Sequence, residues 1–190
     1  VSDQITETTT AGPAPRAAQP KPSAQRQVWA AVGLLLAVVL VAAGGALANM
    51  GNTEGWYAEA NKVSWTPPNW LFGPAWSLLY LLIAIAGFIL WRQGFSGPGR
   101  ENNARSLLML FIAQLVLNSL WSPVFFAGYP WLGPAAWWIA LVIIVVMDVL
   151  VAWLVFACLR DHLVVSLLLL PYLCWILFAT TLNAGIIALN

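Results

Sequence analysis

The sequence predicts an all-α integral membrane protein, a bundle of five transmembrane helices, and three observations carry that prediction. Of its 190 residues, 61% are hydrophobic and only 8% charged, too few charges to coat a water-soluble domain of this size. Five apolar runs each approach the ~20 residues that a helix needs to cross the hydrocarbon core. The basic residues gather on alternate connections, as in polytopic membrane proteins. Closed barrels also satisfy every backbone group in lipid, but these runs are long and continuously apolar, not short and alternating.

Residues 1–26 stand apart. Thr6, Thr8, Thr9 and Thr10, then Pro13, Pro15, Pro20 and Pro22, make a polar tract that cannot bury enough surface to order itself, and it lacks the apolar centre of a signal peptide. We expect a disordered tail there and a membrane domain over 27–190. The first span covers about 28–50 and contains no charge. A loop over about 51–73 follows. The second span, about 74–91, is expected to start with Pro74 in its first turn, where a missing N–H costs nothing. The third covers about 106–127 and ends at a tight apolar turn, Gly128 to Pro134. The fourth covers about 135–158 and the fifth about 163–189, with Pro171 as a candidate kink.

Charge orients the bundle. Arg16, Lys21 and Arg26 precede the first span, Arg92, Arg100 and Arg105 flank the second loop, and Arg160 lies in the fourth. Lys62 alone falls on the other side, so the N-terminus is expected inside and the C-terminus outside, in a bacterial-type cytoplasmic membrane. A net charge of +1 leaves no electrostatic basis for capturing nucleic acid. Cys158 and Cys174 form no CxxC and have no His or Asp at ligand spacing; they read as packing residues, and no metal site is expected.

Within the membrane the few polar residues are the informative ones. Gln114, Asn118, Trp121, Ser122 and Phe125 fall at i, i+4, i+7, i+8 and i+11, one stripe of the third helix. Trp175, Phe178, Ala179, Leu182 and Asn183 share a stripe of the fifth, and Trp76 and Tyr80 are one turn apart on the second. Such residues serve either as inter-helix glue and interfacial belt, a role that suits Trp29 and Trp131, or as a shared pocket. Aromatic walls with a few convergent polar groups suit an apolar planar ligand. Asp148 is either a functional intramembrane carboxylate or a hydrogen-bonded tie between helices. His162, beside the membrane, is either solvated or a haem ligand.

Three stretches in order, WYAEANKVSWTPPNWLFGPAWSLLY, QLVLNSLWSPVFF and PYLCWILFATTLNAGI, resemble the TspO/MBR family of tryptophan-rich sensory and translocator proteins, from Val28 to the end. The resemblance implies a five-helix bundle, commonly a homodimer, that binds porphyrin or haem in a pocket roofed by the first loop, with no obligatory cofactor. Residue by residue it implies Trp76 and Tyr80 in the second helix, Asn118 and Trp121 in the third, Trp175, Phe178, Ala179 and Asn183 in the fifth, and Tyr57 in the lid. Val63 stands where the family usually has proline. The animal sterol motif is absent after Asn183, so sterol recognition is not carried over. The stiff Thr66-Pro67-Pro68 segment is expected to hold Trp65 and Trp70 over the bundle mouth.

Three functions fit these readings. One is tetrapyrrole binding with a sensory, scavenging or regulatory role. Another is light-dependent protoporphyrin degradation through the indoles of Trp76 and Trp175, since no conventional catalytic constellation exists. The third is transport of porphyrins or other amphiphiles, for which no paired broken helices are evident. Small residues (Gly44, Gly45, Ala48, Ala84 and Gly87) would permit a close helix–helix dimer contact.

Overall fold

A computed structural model describes residues 22–93 and 100–190, with side chains from 105 onward in the second stretch. The expected tail up to residue 21 lies outside the described residues. Among the described residues all regular structure is helical, and five helices are long and apolar enough to cross a membrane. In chain order the elements are α1 (Ala24–Asn49), α2 (Trp56–Glu59), α3 (Asn69–Gln93), α4 (Arg100–Ser122), a π-helical turn (Pro123–Ala127), α5 (Tyr129–Leu132), α6 (Pro134–Cys158) and α7 (Leu163–Leu189).

Most boundaries follow the expected spans, and the differences have local causes. α1 starts at Ala24 because Ser23 caps it, its hydroxyl accepting from the Arg26 N–H at 3.3 Å; a serine there satisfies one of the orphan donors of the first turn. α3 starts at Asn69, directly after the extended Pro67-Pro68 pair, so Pro74 lies inside the helix and not in its first turn. The ring at Pro74 removes one backbone bond of the i−4 ladder, close enough to the helix end for the remaining turns to hold. Helix α7 runs through Pro171 without interruption.

The turn between the third and fourth spans contains the one-turn helix α5, and Gly133 after it has φ +57°, a left-handed conformation that favours glycine. The neighbours run α1–α3–α7–α6–α4 and back to α1, and α3 also touches α4 across the middle. That crossing is set by Gly87: a Cβ there would meet the Phe111 ring at 2.5 Å, and Phe111 is fully buried. Gly87 is thus used inside the bundle and not at an outer face. Gly45 likewise faces the Ser122 side chain, 3.6 Å from its Cβ position.

The arms of this ring differ in burial. α6 and α7 are the most enclosed spans, with 39% of an 18-residue apolar stretch of each buried, whereas in α1 that share is 6% and the helix lies mostly on the outside. Ile83, Leu90, Phe111, Ile144, Met147, Leu154, Leu169 and Ile176 form the fully buried centre. Trp29 (67% exposed) and Trp131 (88%) project near element ends, where interfacial tryptophans sit.

Candidate functional site

At the end of the bundle away from the arginines, a cavity of about 530 Å³ opens between the last turns of α1, the following loop, the first turns of α3, the end of α4 and α7. Its volume falls within the range of small-molecule sites. Of the residues expected at the site, Tyr57, Trp76, Trp121, Trp175, Ala179 and Asn183 line it. Trp76 and Trp175 form a corner, their rings 6.5 Å apart and inclined at 84°, and Phe72 stands edge-on to Trp175 at 5.9 Å. Across the cavity Trp121 stacks on Phe125 at 5.3 Å and 17°.

The π-helical turn explains one wall residue that the sequence pattern missed. An α-helix would point consecutive phenylalanines about 100° apart, and the widened turn brings both Phe125 and Phe126 to the cavity. It closes with the Gly128 N–H donating to the Pro123 carbonyl at 2.8 Å, and such turns recur at functional sites. Phe72, Leu182 and Ile186 complete the apolar lining, and Asn49, Thr53, Glu54 and Ser122 add polar groups near the mouth. The Pro123-Val124-Phe125-Phe126 run was the available signal for the two rings; nothing marked Glu54.

Polar anchors hold the walls in place. Asn183 is buried and links three helices: its carbonyl oxygen accepts from the Trp121 indole N–H at 3.3 Å and its amide donates to the Trp137 carbonyl at 3.1 Å. Tyr80 and Asn118 sit one layer below the cavity. Trp76 stacks on Tyr80 at 5.2 Å; the Tyr80 hydroxyl donates to Asn118, whose amide donates to the Tyr172 hydroxyl, and that hydroxyl donates on to Gln114. These bonds measure 2.9–3.0 Å. Tyr172 was therefore missing from the expected set, Gln114 belongs to the stripe expected on the third helix, and Tyr80 and Asn118 support the wall from behind. Phe178, half-buried, flanks Trp175 at 5.9 Å.

The loop does roof the cavity, through the expected Tyr57 together with Gly51, Thr53 and Glu54 and without Trp65 and Trp70. Trp56 pins the roof: its indole donates to the Phe126 carbonyl at 3.1 Å and its ring lies 4.3 Å from Tyr129 and 5.5 Å from Trp137. Tyr57 is 6% exposed, with the Lys62 ammonium 4.8 Å over its ring; burial raises its phenol pKa above the ordinary value.

Trp65 and Trp70 are not over the mouth. Trp65 is 57% exposed and donates to the Thr181 hydroxyl at 3.3 Å; Trp70 is 71% exposed on the first turn of α3. The strap lies along α7 because Gly185 lets it: a Cβ at that glycine would meet Val63 at 2.5 Å.

The two ambiguous ionisable residues lie elsewhere. Asp148 accepts from the Thr180 hydroxyl at 2.7 Å, a tie between α6 and α7. His162 is 4% exposed at the start of α7, at the opposite end of the bundle, so it is neither solvated nor beside the cavity. The cavity wall contains no His or Cys; Met50, at the rim and 71% exposed, is its one thioether. Among the described residues no cluster of His, Cys, Asp or Glu could hold a metal ion.

Five membrane-crossing helices around an aromatic cavity, roofed by the first loop, define a polytopic membrane protein with a small-molecule-sized chamber. The chain belongs to the TspO/MBR family, whose profile matches residues 31–189. It is 43% identical to the tryptophan-rich protein TspO of Archaeoglobus fulgidus over 159 residues, covering 84% of this chain and 95% of that one. It is 34% identical to the tryptophan-rich sensory protein of Cereibacter sphaeroides, covering 82% and 91% respectively. With the human translocator protein it shares 37% identity over 67% of this chain and 70% of the human one. It is an integral membrane protein.

Proposed function

We propose that the protein is a membrane receptor for tetrapyrroles, porphyrin or haem, with a sensory, scavenging or regulatory role. The observation that carries this reading is the corner of Trp76 and Trp175 facing Trp121 and Phe125 across a chamber of about 530 Å³. Flat rings on the walls, with Asn49, Thr53, Glu54 and Ser122 near the mouth and Asn183 in the wall, favour a planar apolar body carrying a few polar substituents. The names of the relatives, a sensory protein and a translocator protein, agree with a regulatory role more readily than with a housekeeping enzyme.

Recognition runs through stacking and shape. With no imidazole or thiolate in the wall, the macrocycle rather than a bound iron supplies the binding energy. Trp76 and Trp175 are also the groups nearest a bound pigment through which light-driven oxidation would pass; the pigment supplies the photochemistry and the protein its position and dryness. The arginine-bearing ends face the cytoplasm in this reading, which places the cavity on the outer side.

Titration of the purified protein with protoporphyrin, following tryptophan quenching and the Soret band, tests the proposal. Saturable binding that weakens in Trp76→Phe and Trp175→Phe supports it. Equal affinity in wild type and both variants would move the site elsewhere.

A further inference from the structure

The lining of the chamber carries a single formal charge among the described residues, and it is negative. Glu54 is the one Asp, Glu, Lys, Arg or His side chain in the lining. The residue is exposed at the mouth, and no hydrogen bond or ion pair among the described residues engages its carboxylate. The nearby polar groups add acceptors to it. Thr53 spends its hydroxyl proton on the Asn49 carbonyl at 3.2 Å, and the Asn49 side-chain oxygen is buried with no donor. Deeper in the wall, Asn183 has both ends of its amide engaged, by Trp121 and by the Trp137 carbonyl.

The cation of the same loop does not offset Glu54 inside the chamber. The Lys62 ammonium donates to the Ala58 and Ala60 carbonyls at 3.2 and 3.4 Å, and Lys62 is not part of the lining. It lies 4.8 Å over the Tyr57 ring, within the ~6 Å at which an aromatic face attracts a cation. One of the seven rings that line the chamber thus already holds an ammonium group on its face.

We propose that the chamber also takes hydrophobic organic cations, with a flat aromatic body among the rings and an ammonium group at the Glu54 carboxylate. Aromatic faces attract such a group through their quadrupole, and low-dielectric walls strengthen its attraction to the carboxylate. Its N–H groups are the donors that Asn49 and Thr53 lack. An anionic substituent in the same place meets like charge and brings acceptors to acceptors. The proposal shares its chamber with the tetrapyrrole reading but does not require that ligand.

The test is a titration of the purified full chain in the uncharged detergent dodecyl maltoside, following tryptophan quenching. Pyrenemethylammonium, pyrenemethanol and pyrenecarboxylate serve as probes, since they share one ring body and differ in charge. Wild type is expected to hold the ammonium probe about tenfold more tightly than the alcohol, with the carboxylate weakest. Glu54→Gln should cut the preference for ammonium over alcohol at least threefold and leave the affinity for the alcohol unchanged. Equal affinity of wild type for ammonium and alcohol, or an undiminished preference in Glu54→Gln, overturns the proposal. So does a loss shared equally by all three probes in Glu54→Gln, which marks a roof contact rather than a charge. Protoporphyrin titrated in parallel separates the two readings. Saturable protoporphyrin binding without an ammonium preference overturns this proposal alone, and an ammonium preference without protoporphyrin binding overturns the tetrapyrrole reading alone.

Discussion

Asn61 in the first loop and Asn190 after α7 clasp one another. The Asn61 backbone N–H donates to the Asn190 side-chain oxygen at 2.9 Å, and the Asn190 amide donates back to the Asn61 carbonyl at 3.0 Å. Below this clasp the strap descends α7 through Val63 on Gly185 and Trp65 on Thr181. The clasp is solvent-exposed, so each bond contributes little to global stability. Asn190→Ala is therefore expected to leave the unfolding midpoint nearly unchanged while accelerating amide exchange over residues 52–60 and the dissociation of bound protoporphyrin. Unchanged exchange in that segment would show that Trp56 alone holds the roof.

Trp76 and Trp175 meet near a right angle, 6.5 Å apart, at one corner of the cavity. Replacing either by Phe keeps a ring but shrinks the wall and removes the indole edge. The expected loss of affinity for protoporphyrin is threefold to tenfold, from about 0.5–1.5 kcal/mol of aromatic contact. Under illumination the double variant should bleach the bound pigment more slowly than wild type. Bleaching at the wild-type rate would exclude these indoles from the photochemistry.

Because the wall has no His or Cys, iron should matter little. Haem and metal-free protoporphyrin are expected to bind within about threefold of one another, with only the macrocycle contacts counting. A Soret spectrum showing a strong-field axial ligand would instead point to Met50 at the rim.

Asn118 joins two tyrosine hydroxyls from helices on either side of it. Asn118→Leu strands the Tyr80 hydroxyl in the membrane interior, while the Tyr172 hydroxyl loses one donor and keeps its bond to Gln114. A loss of about 1–2 kcal/mol is expected, the upper range for inter-helix hydrogen bonds in lipid. Tyr80 would then be free to turn, and Trp76 with it, so protoporphyrin affinity should fall although Asn118 does not line the cavity. Thermal unfolding in detergent and the porphyrin titration together check this.

Gly87 predicts a purely structural effect. Its missing Cβ is where the Phe111 ring lies, so Gly87→Ala must push α3 and α4 apart at an overpacking cost of about 1–3 kcal/mol. The measurement is the unfolding midpoint. A midpoint equal to that of wild type would mean that Phe111 yields without strain.

Much of the site was legible along single helices. Trp76, Trp121, Trp175, Ala179 and Asn183 were visible because a helical stripe with rings and carboxamides has few other uses in lipid, and each does reach the cavity. Tyr80, Asn118 and Phe178 were read from the same helices but lie behind or beside the wall; the other failures involved departures from regular geometry. Phe126 enters through a π-helical turn that a strict 3.6-residue period cannot foresee. Trp65 and Trp70 sit on a proline-stiffened strap whose stiffness was readable but whose direction was not, because only Gly185 on a remote helix tells it where to lie.

The number of helices, their near-boundaries and their confinement to a bilayer were written in hydropathy, since each span must satisfy its own backbone before any neighbour is present. Which faces meet could not be read that way. Apolar surface has no preference between lipid and protein, so the choice falls to close packing and paired polar groups. Gly87 against Phe111, Asn183 between Trp121 and Trp137, and Tyr172 between Asn118 and Gln114 made that choice, and each joins residues distant along the chain.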